Sequence, residues 1–179
     1  MTVLSPQPLT QWIEGNSAME APVYICPATP ADAGIISRIL ERSIRVGCAL
    51  DHRNDPQLVD RWVRRQSAEH VSAWLADPHH YLNIALLQDK PVGVGMAAAH
   101  GEVMFCHVQP EWFRRGAGRA LMGDLEGWLR IRGRPCITLA STRTGAAFYR
   151  RLGYRETASP FMQHGVLTLP MHKPLALSA

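Results

Sequence analysis

Hydrophobic and polar positions along this chain recur with two different periods, and the changes of period mark its elements. Ile35, Ile36, Ile39 and Leu40 follow the three-and-four spacing of a helix. Thr29 supplies a cap before Pro30, a favoured first helical residue, and Gly47 supplies a stop, so a helix is expected between them. A second helical stretch, Gln57 to Asp77, carries Trp62, Val63, Val71, Trp74 and Leu75, divides near Ser67 and stops before Pro78. Runs rich in β-branched residues read as strands: "PVYICPAT" from Pro22, "YLNIALLQ" and "PVGVGMAAAH" joined by Asp89-Lys90, and "EVMFCHV" from Glu102 to Val108. A helix through Leu129 follows, with Leu121, Met122, Leu125 and Trp128 as its apolar positions. "CITLAST" from Cys136 is a further strand, and "TGAAFYRRL" a short helix closed by Gly153. "YRETAS" and "VLTLPMH" are expected to complete the sheet as a hairpin. Helices interleaved with a strand meander define a mixed α/β fold.

Composition limits this picture to one domain. A chain of 179 residues with 46% apolar content buries one core and is short for two. Residues 1–20, proline-bearing and polar with a lone Trp12, read as an N-terminal extension, and residues 21–175 as the domain. No apolar run reaches bilayer length, the longest being broken by Gln88, Asp89 and Lys90, so no membrane partner is expected. The start, "MTVLSPQPLTQW", lacks the charged and apolar regions of a secretory signal, which makes a cytoplasmic location the expectation. Cys26, Cys48, Cys106 and Cys136 form no CxxC pair, so free thiols are expected and no metal site. The net charge of +4 suits a polyanionic ligand. Nucleic acid is disfavoured, because the Arg61, Arg64 and Arg65 cluster has no accompanying set of stacking aromatics.

The candidate chemistry concentrates in "HVQPEWFRRGAGRALM", His107 to Met122. Glycines let backbone approach a ligand closely, and the first amides of a helix have no carbonyl partners and carry its positive dipole end. With arginines alongside, this is a phosphate-binding arrangement. A dinucleotide fingerprint would need a third small residue where Leu121 stands, and a P-loop would need Gly-Lys-Ser/Thr, so neither fits.

Val108-x-Pro110 followed by Arg114-Arg115-Gly116-Ala117-Gly118-Arg119-Ala120, and then "AAFYRRLGY" from Ala146 to Tyr154, resembles the GCN5-related N-acetyltransferase (GNAT) superfamily over roughly Val23 to Lys173. The resemblance implies a mixed, mostly antiparallel sheet of six to seven strands flanked by helices, with two central strands splayed apart. It implies acetyl-CoA as co-substrate and an amine acceptor, with direct attack in a ternary complex. By the same resemblance, backbone at Cys106, His107 and Val108 pairs with the pantetheine arm. The amides of Arg114, Arg115, Gly116, Ala117, Gly118 and Arg119 wrap the pyrophosphate, with Ala120 and Phe148 also cofactor-binding. Two positions depart from the family pattern: Phe113 stands where Arg or Gln is usual, and Thr142 where an Asn commonly holds the CoA arm.

Tyr149 occupies the position of the family's tyrosine that protonates the departing thiolate. A backbone amide near His107 or Val108 is the candidate oxyanion donor. For the base, Glu102 shares strand parity with Met104, Cys106 and Val108 and is a candidate through a water, with His100, His107 and a solvent chain as alternatives. The acceptor pocket is expected between the segment around Asp51, His52 and Asp55 and the C-terminal hairpin. Two other functions remain open at this point: a CoA-binding regulatory module without catalysis, and acetylation of aminoacyl-tRNA. Domains of this family often pair through their C-terminal strands, which leaves a homodimer open as well.

Overall fold

The computed structural model describes residues 21–176, so the proposed extension over residues 1–20 lies outside the described residues. Strand β1 (Val23–Pro27) leads through a single 3-10 turn into α1 (Ala33–Arg42). Thr29 and Asp32 form a reciprocal capping box at that turn. The helical path does not stop at Arg42, because Ser43–Gly47 continues as a π-helical turn, followed by the single turn α2 (Ala49–His52). Helices α3 (Pro56–Arg64) and α4 (Ala68–Ala76) divide at Ser67, whose hydroxyl caps α4 by accepting from the His70 amide.

A meander of β2 (His80–Leu87), β3 (Lys90–Ala98) and β4 (Glu102–Val108) comes next. The remaining elements are α5 (Ala117–Ile131), β5 (Cys136–Thr142), α6 (Arg143–Arg151), β6 (Arg155–Glu156), β7 (Phe161–Gln163) and β8 (Val166–Pro174). The sheet order is β1-β2-β3-β4-β5-β8-β6, with β7 also paired to β8. Every pairing is antiparallel except β4 with β5, whose parallel contact follows from the crossover through α5. The sheet has eight strands rather than six or seven. The predicted closing hairpin is divided: the two-residue β6 and the three-residue β7 each pair with β8, and His164 and Gly165, both left-handed, make the tight β7–β8 turn.

Both faces of the sheet are covered, which is why β2 and β3 read as nearly continuous apolar runs. Ile36, Ile39 and Leu40 of α1 and Val71 of α4 pack on Leu82, Ile84, Val94 and Met96. Leu121 of α5 packs on Ala85, Leu87 and Val92 of the opposite face. Further along α5, Met122, Leu125 and Leu129 join Ile137, Leu139, Tyr149, Tyr154 and Met171 in a second core. Glu126, only 6% exposed within that wall, is neutralised by Lys173 Nζ at 2.7 Å and accepts from the Tyr154 hydroxyl at 3.0 Å. No described helix is long and apolar enough to cross a membrane.

Candidate functional site

The sheet parts at its centre. β4 and β5 register only at Glu102 and Thr138, where the Thr138 amide donates to Gly101 O at 3.0 Å. β5 then stays with β8 along its whole length, Cys136 to Thr142, and leaves the β5-facing edge of β4 from Val103 to Val108 without a neighbouring strand among the described residues. Unpaired strand amides and carbonyls are a template for another extended chain. Cys106, His107 and Val108, assigned above to the pantetheine arm, lie on this open edge.

A bulge re-aims the side chains of β4. Val103 pairs with Ala97 and Phe105 with Met96, so Met104 has no partner. The extra residue reverses the alternation: Val103, Cys106 and Val108 all pack toward α5, while Phe105 packs toward α1. The parity that aligned Glu102 with Cys106 and Val108 therefore fails, and Glu102 belongs to the α1 side. It stands at the closed end of the cleft, where its carboxylate pairs with His100 Nε2 at 3.0 Å. His107 also faces α1, with Nδ1 2.9 Å from the Ser43 hydroxyl of the π-helical turn. Burial lowers its pKa to about 4, which keeps the imidazole neutral at physiological pH. The Ser43 contact had no signal in the sequence.

Beyond β4, Arg114 and Gly116 both adopt left-handed backbone, with φ of 62° and 85°. Glycine takes this conformation freely at position 116, whereas Arg114 holds it under strain. The first intrahelical bond of α5 runs from the Ala120 amide to Gly116 O at 3.0 Å. The amides of Ala117, Gly118 and Arg119 thus lack helical acceptors, and among the described residues no side chain caps this end of a 15-residue helix. An uncapped helix N-terminus with its dipole is suited to an anion. Arg114 and Arg119 are exposed, and Arg115 lies 5.1 Å over the Trp112 ring. The loop is anchored to α1 by the Arg42–Glu111 ion pair. Phe113, which replaces the family's polar residue, reaches toward the π-helical turn, its ring 3.2 Å from where a Cβ on Gly47 would lie.

Helix α6 forms the other wall. Thr142 caps it by accepting from the Gly145 amide at 3.2 Å, a local role for its hydroxyl. Phe148 reaches the start of α5, where a Cβ on Gly118 would sit 3.1 Å from its ring. Tyr149 is 8% exposed and edge-on to both Phe148 and Tyr154. Burial, followed by the nearby Cys106 and Cys48, raises its pKa well above the ordinary range. Its hydroxyl is therefore a neutral donor at physiological pH. Burial likewise pushes the Cys106 and Cys48 thiols up to about 12, so both are inert as nucleophiles.

A cavity of about 360 Å³ opens between α2, the start of α6 and the β7–β8 hairpin, lined in part by Leu50, Asp51, Arg53, Arg143, Met162 and Leu167. This is where the acceptor pocket was expected. The polar residues named for it serve the fold first. His52 is 1% exposed, with Nε2 3.0 Å from Ile44 O and Nδ1 accepting from the Asn54 amide. Asp55 caps α3 through the Gln57 and Leu58 amides. Asp51 Oδ1 accepts from the Thr144 amide at 3.1 Å and ties α2 to α6, while its Oδ2 is buried with no partner among the described residues.

An open edge on a parted sheet, beside an uncapped helix start, is the architecture of a GNAT-fold protein. Residues 50–175 match the acetyltransferase (GNAT) domain family, and the chain belongs to it. A curated relative in Bacillus subtilis (strain 168), named only as uncharacterized protein YyaT, is 27% identical over 93 residues. That match covers 50% of this chain and 62% of the relative. Among solved structures, a GCN5-related N-acetyltransferase from Rhodopseudomonas palustris, also termed an aminotransferase of class II, superposes with a TM-score of 0.77 at 23% identity. The superposition covers 87% of this chain and 98% of that one. PaiA N-acetyltransferase from Thermoplasma acidophilum, solved with coenzyme A, gives a TM-score of 0.72 at 16% identity, covering 86% and 99%. At these identities the superpositions establish a shared fold.

Proposed function

We propose that this protein transfers an acetyl group from acetyl-CoA to a primary amine of a small molecule or peptide, by direct attack within a ternary complex. The observation that carries the reading is the place of Tyr149, 8% exposed and packed in one core with Cys106 of the open β4 edge, its hydroxyl protonated at physiological pH. Acetyl-CoA supplies an activated thioester that an amine can attack without further activation. The uncapped amides of Ala117, Gly118 and Arg119 would hold its pyrophosphate, with Arg114 or Arg119 adding charge. The free edge at Cys106–Val108 would hold the pantetheine amides as a neighbouring strand does. As the amine nitrogen bonds to the carbonyl carbon, the carbon–sulfur bond breaks and the Tyr149 hydroxyl gives the sulfur its proton. The proton lost by the amine goes to Glu102 through water or directly to solvent. Holding both reactants in one cleft supplies much of the acceleration.

The test is a screen of amino acids, polyamines, peptides and aminoacyl-tRNA as acceptors, read by acetyl-CoA-dependent release of free thiol. Release with at least one amine supports the reading. Tight acetyl-CoA binding by calorimetry with no release for any acceptor would refute it in favour of a regulatory CoA-binding module.

A further inference from the structure

We propose that the acceptor is a free α-amino acid with a large apolar side chain, its amine inward at Asp51 and its carboxylate outward at Arg143. This deepens the acetyltransferase reading and rests on it. The inward assignment starts from one atom. Asp51, a lining residue of the cavity, spends Oδ1 on the Thr144 amide, and its buried Oδ2 accepts nothing from the described residues. A buried carboxylate oxygen without a donor is costly, and an ammonium or amine N–H arriving there removes that cost. Asp51 is also tied to the helix of the proposed acid: its Oδ1 holds the first turn of α6, which carries Tyr149. An amine at Asp51 therefore lies beside the start of that helix.

The outward assignment follows from unpaired positive charge. Arg42, Arg45 and Arg150 have carboxylate partners, whereas Arg143 and Arg53, both lining the cavity, have none within 4.0 Å among the described residues. Asp55, the other acidic lining residue, is engaged in capping α3. Two guanidinium groups at the mouth attract a carboxylate and repel a second ammonium, which selects against polyamines. Arg143 immediately precedes Thr144, the residue Asp51 holds, so the anionic and cationic partners arise side by side. That proximity matches the adjacent charges of an α-amino acid better than a distant side-chain amine. The third component is apolar: Leu50 and Met162, 84% and 63% exposed, flank the mouth with Leu167. A volume of about 360 Å³ lies at the small end of the ~300–1,000 Å³ span of ligand pockets, enough for one such molecule.

The experiment compares phenylalanine, leucine and methionine with phenylalaninamide, spermidine and a lysine peptide, by thiol release and by calorimetry in the presence of CoA. Asp51→Asn retains Oδ1 for the Thr144 amide and replaces the charged acceptor Oδ2 with an NH2 donor, so its melting temperature should stay close to the parent's while the amine loses its acceptor. It should raise KM for phenylalanine at least tenfold, with kcat changed much less. Arg143→Gln should raise KM for phenylalanine to a similar degree and leave that for phenylalaninamide unchanged. Equal use of phenylalanine and its amide by the parent would overturn the carboxylate assignment. Turnover of spermidine or the lysine peptide without binding or turnover of any amino acid would overturn the acceptor class while leaving the acetyltransferase reading intact. Binding of phenylalanine that depends on Asp51, with no thiol release from any acceptor, would support the site and overturn the acetyltransferase reading instead.

Discussion

Replacing Tyr149 by Phe removes one oxygen from the proposed site and almost nothing from the fold. The ring keeps its edge contacts with Phe148 and Tyr154 at centroid distances of 5.1 and 5.8 Å. Burial and the neighbouring thiols, rather than a hydrogen bond, account for the raised pKa of the hydroxyl, so its removal orphans no partner. Stability should therefore change by no more than about 1 kcal/mol, in either direction, a shift of roughly 2–4 °C for a chain of this size. Catalysis should respond differently. General acids contribute on the order of 10²–10⁴, and because water can replace part of this role, turnover should fall by roughly ten- to a thousandfold, or about 1.4–4 kcal/mol of barrier. Acetyl-CoA affinity should be retained, because the amides proposed to hold the pyrophosphate are on α5. The assay is steady-state thiol release on the best screened acceptor, with a melting curve and a binding isotherm for each protein. The parent adds a second check: with its pKa raised, Tyr149 should stay protonated and impose no loss of turnover between pH 8 and 10. Full turnover in a stably folded Tyr149→Phe protein would refute the acid role.

Three further outcomes follow from the same geometry. Gly116→Val forces a β-branched residue to a φ of 85° and should weaken acetyl-CoA binding and lower the melting temperature together, whereas Gly118→Ala crowds Phe148 at 3.1 Å and should regain affinity when Phe148 is also made Leu; unchanged isotherms for both glycine variants would place the anion elsewhere. Glu102→Gln should lower turnover at neutral pH with little change in acetyl-CoA affinity if Glu102 relays the amine proton, and unaltered kinetics would leave that proton to solvent. His107, with a pKa near 4 against an ordinary 6.5, is protonated in the unfolded chain first as pH falls; its contribution is whole above about pH 6.5, declines toward pH 4 by roughly 3 kcal/mol, and should disappear from urea melts of His107→Gln.

The elements of the fold were legible where one period dominated. The α1 stripe, the break at Ser67 and the β2–β3 hairpin all have local causes: a helical repeat, a capping hydroxyl and a two-residue turn in which Gln88 and Asp89 are both left-handed. The divided C-terminal hairpin was not legible in this way. β6 and β7 are too short to carry a period, and their pairing is set by β8 between them and by the left-handed pair His164-Gly165. The π-helical turn at Ser43–Gly47 was equally silent, since its sequence suits an ordinary helix end and its geometry is held by tertiary contacts such as Ser43 with His107.

The same division runs through the site. The proposed anion cradle and the aromatic pair stand out because they use residue types with few alternative purposes: glycine where backbone must turn left-handed or a ring must approach, and tyrosine beside phenylalanine at a helix end. The acceptor side is built from short polar residues that look alike in sequence whether they cap a helix or bind a ligand. Asp55 and Thr142 proved to be caps and Asp51 a tie from α2 to α6, and only the spare oxygen of Asp51 separates it from ordinary loop chemistry. Parity arguments failed for a related reason. Nothing distinguishes Met104 as a residue, yet its omission from the β3–β4 ladder reverses every facing before it. Without that bulge, Val103 would share a face with Phe105 and His107 and leave the core beneath α5, and Glu102 would turn toward Cys106. The extra residue lets β4 keep Val103 packed against α5 at its closed end while presenting Cys106 and Val108 along the open edge. One unpaired position thus couples the core to the cleft, and it acts through register, which a single sequence does not display.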